Sequence, residues 1–184
     1  MATRGNEGKS ALLVIDVQNG VVENSWRKDE VIANCAKMVE HARASDVPVI
    51  WIQHQAEDLP RDSDAWQLVP ELVPAEGEAH IYKEYSDSFA KTNLGAMLDD
   101  LGIGHLVISG AQTNACVRAT TYRAAGEGYD VTLVADAHTT ESIDWDGIQL
   151  EAESMINDLN LTMQFLEWPN QKVTSADTAA ILQM

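Results

Sequence analysis

Short, continuously apolar runs alternate along the chain with longer segments in which apolar residues recur at helical spacing. A continuous apolar run bounded by polar residues is typical of a parallel strand that is buried on both faces. A weaker alternating run ends at Lys83 and predicts one further strand. The predicted strands are Ala11–Ile15, Val47–Ile52, Ala79–Tyr82, Leu106–Ser109 and Val131–Ala135.

Apolar residues return every three or four positions between Asp29 and Ala44, which predicts an amphipathic helix with Cys35 on its buried stripe. The same spacing predicts four further helices. They run from Ser86 or Ser88 to about Leu101, from the turn before Cys116 to about Glu127, from about Asp146 to Leu166, and from about Ser175 onward.

The segment Gln55–Pro74 is rich in Asp, Glu and Pro and has no sustained period, so we expect a long loop. Loops of this length in compact domains often have a function. Trp66 within it either covers a pocket or fixes the loop to the body of the protein.

Strands that alternate with helices predict a three-layer α/β/α sandwich with a mainly parallel central sheet. We expect one domain over residues 1–184, with residues 1–9 as a flexible N-terminus. The carboxyl ends of parallel strands share one edge of the sheet, where open α/β folds bind ligands. This edge is expected to carry Asp16, His54, Lys83, Asp136 and the turn before Cys116.

Composition narrows the choice of partners and of compartment. A formal charge of −17 and a pI near 4.4 argue against a nucleic-acid partner and against an anionic membrane surface. The N-terminus is polar, and no apolar run approaches the length of a membrane span. The two cysteines lie far apart in sequence, so we expect free thiols and a cytoplasmic location.

The segment Gly110–Arg118 places Cys116 just after a predicted strand, at the start of a helix. Unpaired N–H groups and the helix dipole favour a thiolate at such a position, although a lone cysteine is more often an inert core residue. A nucleophilic thiol needs a base and a nearby cation, which Asp16 and Lys83 could supply. The backbone amides of Gln112 and Cys116 are the candidate donors to an oxyanion.

With these residues in place, the chain resembles the isochorismatase-like cysteine hydrolases, a superfamily that includes nicotinamidases and carbamoylsarcosine amidases. The matching blocks are Leu12–Gln18, Tyr82–Lys83, Ser88–Phe89, Ser109–Val117, Gly128–Val131 and Asp136–His138.

The resemblance implies a catalytic triad of Asp16, Lys83 and Cys116, and a cis peptide bond between Ala111 and Gln112. The implied reaction is hydrolysis of a C–N bond in a small molecule, an amide or carbamoyl group, through a thioester. The resemblance also implies a homo-oligomer, a dimer or larger.

Nicotinamidases of this superfamily carry an Asp-x-His metal site after the second strand, and Trp51–Gln55 lacks that pair. We therefore expect no metal and no cofactor. Two alternatives stay open: a vinyl-ether hydrolase of the isochorismatase type, and a non-catalytic α/β scaffold that acts by assembly or partner binding. Asp136 and His138 either support the turn or bind substrate, or else belong to a strand-end turn with capping hydroxyls.

Substrate choice is expected to depend on the loop Gln55–Pro74 and on side chains around the edge of the sheet, with or without a neighbouring subunit. The candidate substrate-binding residues are Gln18, Trp26, His54, Phe89 and Ala111.

Overall fold

A computed structural model describes residues 3–4 and 6–183, and of residues 6 and 7 it describes only the backbone. The strands are β1 (Asn6–Ile15), β2 (Val49–His54), β3 (Ala79–Lys83), β4 (Ile103–Ala111), β5 (Asp130–Thr139), β6 (Ile143–Trp145), β7 (Ile148–Leu150) and β8 (Val173–Ala176). The helices are α1 (Asn19–Val22), α2 (Lys28–Ala44), α3 (Leu94–Leu101), α4 (Arg118–Glu127), α5 (Ala152–Phe165) and α6 (Thr178–Ile181). A π-helical turn at Thr113–Val117 leads directly into α4.

The central sheet has the strand order β3-β2-β1-β4-β5-β8, and every neighbouring pair is parallel. One face packs against α3, α4 and α5, and the other packs against α2 and α6. The predicted three-layer α/β/α sandwich with a parallel sheet is therefore confirmed.

Strand β1 is buried on both faces of the sheet, which explains its continuous apolar sequence. Leu13 and Ile15 belong to the core under α3, α4 and α5, while Leu12 and Val14 belong to the core under α2. Successive side chains of a strand point to opposite faces, so a strand covered on both sides needs apolar residues at every position. The run ends at Asp16, where the strand leaves the core.

Strand β1 begins at Asn6, earlier than the predicted start at Ala11. Residues 1, 2 and 5 of the expected flexible N-terminus lie outside the described residues. Arg4 is described, and its guanidinium forms ion pairs with Asp99 at 2.8 Å and Glu127 at 2.5 Å.

The helix predicted from Ser86 or Ser88 starts only at Leu94, so the earlier start is wrong. The carboxylate of Asp87 accepts a hydrogen bond from the N–H of Phe89 at 2.9 Å. Such local bonds between a side chain and the backbone compete with helical pairing.

The helix predicted from Asp146 is wrong over its first residues, because α5 begins at Ala152. The preceding residues form the hairpin of β6 and β7, whose two-residue turn is Asp146-Gly147 with φ of 49° and 79°. Asp-Gly between alternating residues is the strongest local signal for such a hairpin, and it was available in the sequence.

Strand β5 continues to Thr139, so the prediction that it ends at Asp136 is wrong. The carboxylate of Asp136 accepts hydrogen bonds from the amide and the hydroxyl of Thr178, each at 2.7 Å. Asp136 therefore satisfies the first N–H of α6, just past the carboxyl end of β8.

The loop predicted over Gln55–Pro74 contains no helix or strand in the described structure, and Trp66 within it is 5% exposed. The Trp66 ring lies 5.5 Å from that of Tyr82, between centroids. The carbonyl of Trp66 accepts hydrogen bonds from Gln18 and Gln53. Trp66 thus fixes the loop to the body of the protein.

Cys35 is wholly buried in the core under α2, as the helical pattern predicted. Cys35 and Cys116 are both free thiols. Among the residues that are described, no helix is both long and apolar enough to cross a membrane.

Gly110 of β4 lies beside Ile15, the last residue of β1. Its φ is +121°, and a Cβ built on it would lie 2.0 Å from the carbonyl oxygen of Ile15. Only glycine satisfies both the backbone conformation and the lack of space. Gly110 thereby sets the spacing between the strand ends that carry Asp16 and Cys116.

We predict that Gly110→Ala lowers the free energy of unfolding by about 2–4 kcal/mol, because backbone strain and overpacking add. Urea unfolding measures the change. The matched control is Gly77→Ala, which has φ of +87° with nothing within 4 Å of the new Cβ. Its strain alone should cost about 1 kcal/mol. Equal losses in the two variants would contradict the contact with Ile15 as the cause.

Candidate active site

Three side chains from separate strand ends meet at the carboxyl edge of the sheet. Asp16 follows β1, Lys83 ends β3, and Cys116 lies in the π-helical turn after β4. The ammonium nitrogen of Lys83 lies 2.7 Å from Oδ2 of Asp16 and donates to Sγ of Cys116 at 3.2 Å. The Lys83 and Asp16 side chains are 0% and 1% exposed, so one buried cation contacts both the carboxylate and the thiol.

The backbone around Asp16 turns sharply out of the sheet. Asp16 has φ of +50°, a conformation that Asp tolerates better than most residues. Its N–H still donates to the carbonyl of Ile52 at 2.8 Å, which keeps the turn attached to β2. The carboxylate is thus held at the strand end, within reach of Lys83.

The turn that carries Cys116 departs twice from regular backbone. The peptide bond between Ala111 and Gln112 is cis. The N–H of Val117 then donates to the carbonyl of Gln112 at 3.1 Å, five residues back, which makes the first turn wider than an α-helix. Cys116 lies inside this wide turn.

The protonation state of the thiol follows from its surroundings. Burial, and after it the charge of Asp16, raise the pKa of Cys116 to about 11, and Lys83 only partly opposes this. Burial also raises the pKa of Asp16, against the effect of Lys83. Desolvation thus outweighs the favourable charges of Lys83 and of the helix start, and the surroundings favour the protonated thiol.

His54 lies at the site, as predicted for a residue at the end of β2. Its Nδ1 is 3.5 Å from the ammonium nitrogen of Lys83, and the side chain is only partly buried. Burial and the neighbouring lysine lower the pKa of His54. A neutral imidazole therefore flanks the cation.

Gln18, a predicted substrate-binding residue, is wholly buried, and its side chain is fully occupied by backbone groups. Its Nε2 donates to the carbonyls of His54 and Trp66 at 2.9 and 2.8 Å. Its Oε1 accepts the N–H of His54 at 2.8 Å. The structure thus places Gln18 between β2 and the loop, where it holds the loop against the sheet.

Gln112 also uses its side chain within the protein. Its Nε2 donates to the carbonyl of Val21 at 3.1 Å, and its Oε1 accepts the hydroxyl of Thr140 at 2.9 Å. The Thr140 hydroxyl is also 2.7 Å from Oδ1 of Asn114. These contacts fix the start of the turn.

The other predicted substrate-binding residues fall in different places. Trp26 is partly buried, and its backbone N–H donates to the carbonyl of Thr140 at 2.9 Å. The Phe89 ring packs against Tyr129 with 6.0 Å between centroids. Ala111 is 0% exposed, so its side chain offers no surface to a ligand.

His138 lies behind the turn, buried to 1% exposure. Its ring nitrogens contact Thr113 at 2.8 Å and Asn160 at 3.0 Å. The sequence analysis singled out His138 but missed Asn160, although Asn160 follows Ile156 by four positions and so lies on the inward face of α5. In the part of the chain that is described, no three His, Cys, Asp or Glu side chains form a cluster that could hold a metal ion.

Comparisons with known proteins identify the family of this chain. The family described as "Isochorismatase domain" matches residues 10–154. Streptothricin hydrolase of Streptomyces noursei is 34% identical over 141 residues, which cover 72% of this chain and 55% of that protein. Ureidoacrylate amidohydrolase RutB of an Enterobacter species is 29% identical over 153 residues, covering 60% and 66% of the two chains.

The fold is also that of solved relatives. The crystal structure of an isochorismatase from Pseudomonas putida KT2440 superposes with a TM-score of 0.84 at 29% identity, covering 94% of this chain and 89% of that one. The family match spans the strands that carry Asp16, Lys83 and Cys116. The chain therefore belongs to the isochorismatase family of hydrolases.

Proposed function

We propose that this protein is a cysteine-dependent hydrolase that cleaves a C–N bond, of an amide or carbamoyl group, in a small molecule. The observation that carries the proposal is the position of Lys83, whose buried ammonium contacts both Asp16 and Cys116. A thiol beside a carboxylate base and a fixed cation is suited to nucleophilic attack on a carbonyl. The relatives named as a hydrolase of streptothricin and as an amidohydrolase support the same chemistry.

In the first half of the reaction, the carboxylate of Asp16 accepts the thiol proton and Sγ of Cys116 attacks the carbonyl carbon. The oxyanion that forms accepts hydrogen bonds from the backbone amides of Gln112 and Cys116. The C–N bond then breaks, and Asp16 returns the proton to the departing nitrogen. Ammonia or an amine leaves, and the acyl group remains on Cys116 as a thioester.

In the second half, Asp16 takes a proton from water, whose oxygen attacks the thioester carbonyl. The C–S bond breaks, the acid leaves, and the proton held by Asp16 returns to the thiolate. Lys83 keeps its charge throughout and stabilises whichever partner is anionic. Thiol and carboxylate share one mobile proton, so their titrations are coupled and the high pKa of Cys116 describes the empty site.

His54 and Trp26 are the side chains that we propose to contact the substrate. His54 is partly open and lies beside Lys83, so its neutral ring can donate or accept a hydrogen bond at the reacting group. The backbone N–H of Trp26 donates to the carbonyl of Thr140, whose hydroxyl contacts Gln112 and Asn114 of the turn. Together they would flank a planar carbonyl group placed over Cys116.

We predict that Cys116→Ala loses C–N hydrolysis by about a thousandfold or more, because the covalent route is removed. A screen for ammonia release from small amides, carbamates and ureas measures it. Cys35→Ala is the matched control, since Cys35 is buried under α2, and it should retain activity.

The same screen includes Asp16→Asn and an isochorismate substrate. If Cys116→Ala keeps turnover while Asp16→Asn loses it, the reaction is vinyl-ether hydrolysis, which needs an acidic group and no thiol. Failure of the wild type on every substrate class would instead favour the non-catalytic scaffold.

We predict that iodoacetamide alkylates Cys116 selectively, because Cys116 is partly exposed whereas Cys35 is 0% exposed with its pKa raised to about 12. Because the pKa of Cys116 is raised to about 11, its thiolate fraction should still be increasing at alkaline pH. The alkylation rate should therefore rise about tenfold per pH unit above neutrality. Mass spectrometry of the two cysteine peptides measures the rate. A plateau already at neutral pH, or equal labelling of both cysteines, would contradict the site as described.

A further inference from the structure

A chain of hydrogen-bonded side chains runs from the turn of Cys116 to α5 and β8. Thr113, the first residue of the π-helical turn, contacts Nδ1 of His138 with Oγ1 at 2.8 Å. Nε2 of His138 contacts Oδ1 of Asn160 at 3.0 Å. Asn160 Oδ1 also accepts the hydroxyl of Ser175 at 2.8 Å, and its Nδ2 donates to the carbonyl of Ala135 at 2.9 Å.

The donors and acceptors along this chain can be assigned in only one way. Because Nδ2 of Asn160 donates to a carbonyl, its Oδ1 is an acceptor, so Nε2 of His138 carries a hydrogen and donates. His138 is buried, and burial lowers its pKa to about 4, so at neutral pH its Nδ1 has no hydrogen and is an acceptor. The hydroxyl of Thr113 is therefore the donor to Nδ1.

The position of Thr113 makes this contact relevant to the thiol. A π-helical turn is rare and has poorer hydrogen-bond geometry than an α-helix, so it persists only where other contacts hold it. Thr113 is 0% exposed and stands three residues before Cys116. Its bond to His138 fixes the buried side of the wide turn, while Thr140 holds the other side through Gln112 and Asn114.

We propose that His138 is a positioning residue, which acts through Thr113 to hold the π-helical turn so that Sγ of Cys116 stays within reach of Lys83 and Asp16. Its catalytic effect rests on the proposed function, but its effect on the thiol does not. Small displacements of a reacting group lower rates steeply, by about a hundredfold for 1 Å. A neutral histidine in one tautomer suits this task, since it offers one acceptor and one donor in fixed directions.

The test compares Thr113→Val, which keeps the side-chain shape and removes the donor, with Thr113→Ser, which keeps the donor. We expect Thr113→Val to change the rate of Cys116 alkylation by about tenfold or more, and to lower kcat on any substrate found by a similar factor, with a smaller change in KM. Thr113→Ser should remain close to wild type. Circular dichroism and thermal unfolding report whether each variant is folded.

Ser175→Ala is the matched control, because it removes a hydrogen bond from the same network without touching the bond between Thr113 and His138. It should lower the melting temperature without changing alkylation of Cys116. If Thr113→Val also lowers only the melting temperature, the network is purely structural and the proposal is overturned.

A second pair of variants covers the case in which Thr113→Val fails to fold. His138→Gln carries an acceptor and a donor in one amide, whereas His138→Leu carries neither. Rescue of alkylation by Gln relative to Leu supports the proposal, and equal rates in the two contradict it. Alkylation needs no substrate, so a wild type that hydrolyses nothing would refute the proposed function while this inference is still decided.

Discussion

The buried ion pair between Lys83 and Asp16 is the interaction on which the candidate site depends. Both side chains are almost completely withdrawn from water, so each charge is tolerated only because the other is present. Loss of one partner would leave an uncompensated charge, at a cost of about 3–5 kcal/mol. The pair also bridges two strands that are not neighbours, since β2 lies between the strands that carry the two residues. Two strand spacings are about 10 Å, a gap that suits the long stem of a lysine.

The ion pair determines the state of the thiol as much as its position. Lys83 contacts Sγ of Cys116, which favours a thiolate, while burial and the carboxylate of Asp16 favour the protonated form and prevail. These surroundings therefore favour a protonated Cys116 thiol, close to the carboxylate of Asp16. A protonated thiol is also less prone to oxidation and alkylation than a free thiolate.

Backbone and side-chain contacts around the site serve to keep these groups in register. Gly110 allows β4 to approach β1 at the point where a Cβ would meet the carbonyl of Ile15. Gln18 holds the long loop against β2, and Gln112 and Thr113 hold the two sides of the π-helical turn. Gln18, which the sequence suggested for substrate, is thus occupied by the protein itself, whereas His54 and Trp26 are only partly buried.

The sequence alone predicts the layered architecture, since apolar runs without interruption can be satisfied only by strands covered on both faces. It also determined that Asp16, His54, Lys83 and Cys116 meet, because parallel strands end at one edge. It carried the Asp146-Gly147 hairpin signal as well, although the helical spacing around it obscured that signal.

The late start of α3, the extension of β5 past Asp136, the raised pKa of Cys116 and the network from Thr113 to Asn160 depend on the tertiary structure. Each of these depends on what lies across space from a residue. Burial, charge and hydrogen-bond partners come from segments distant in sequence, and no local pattern encodes them.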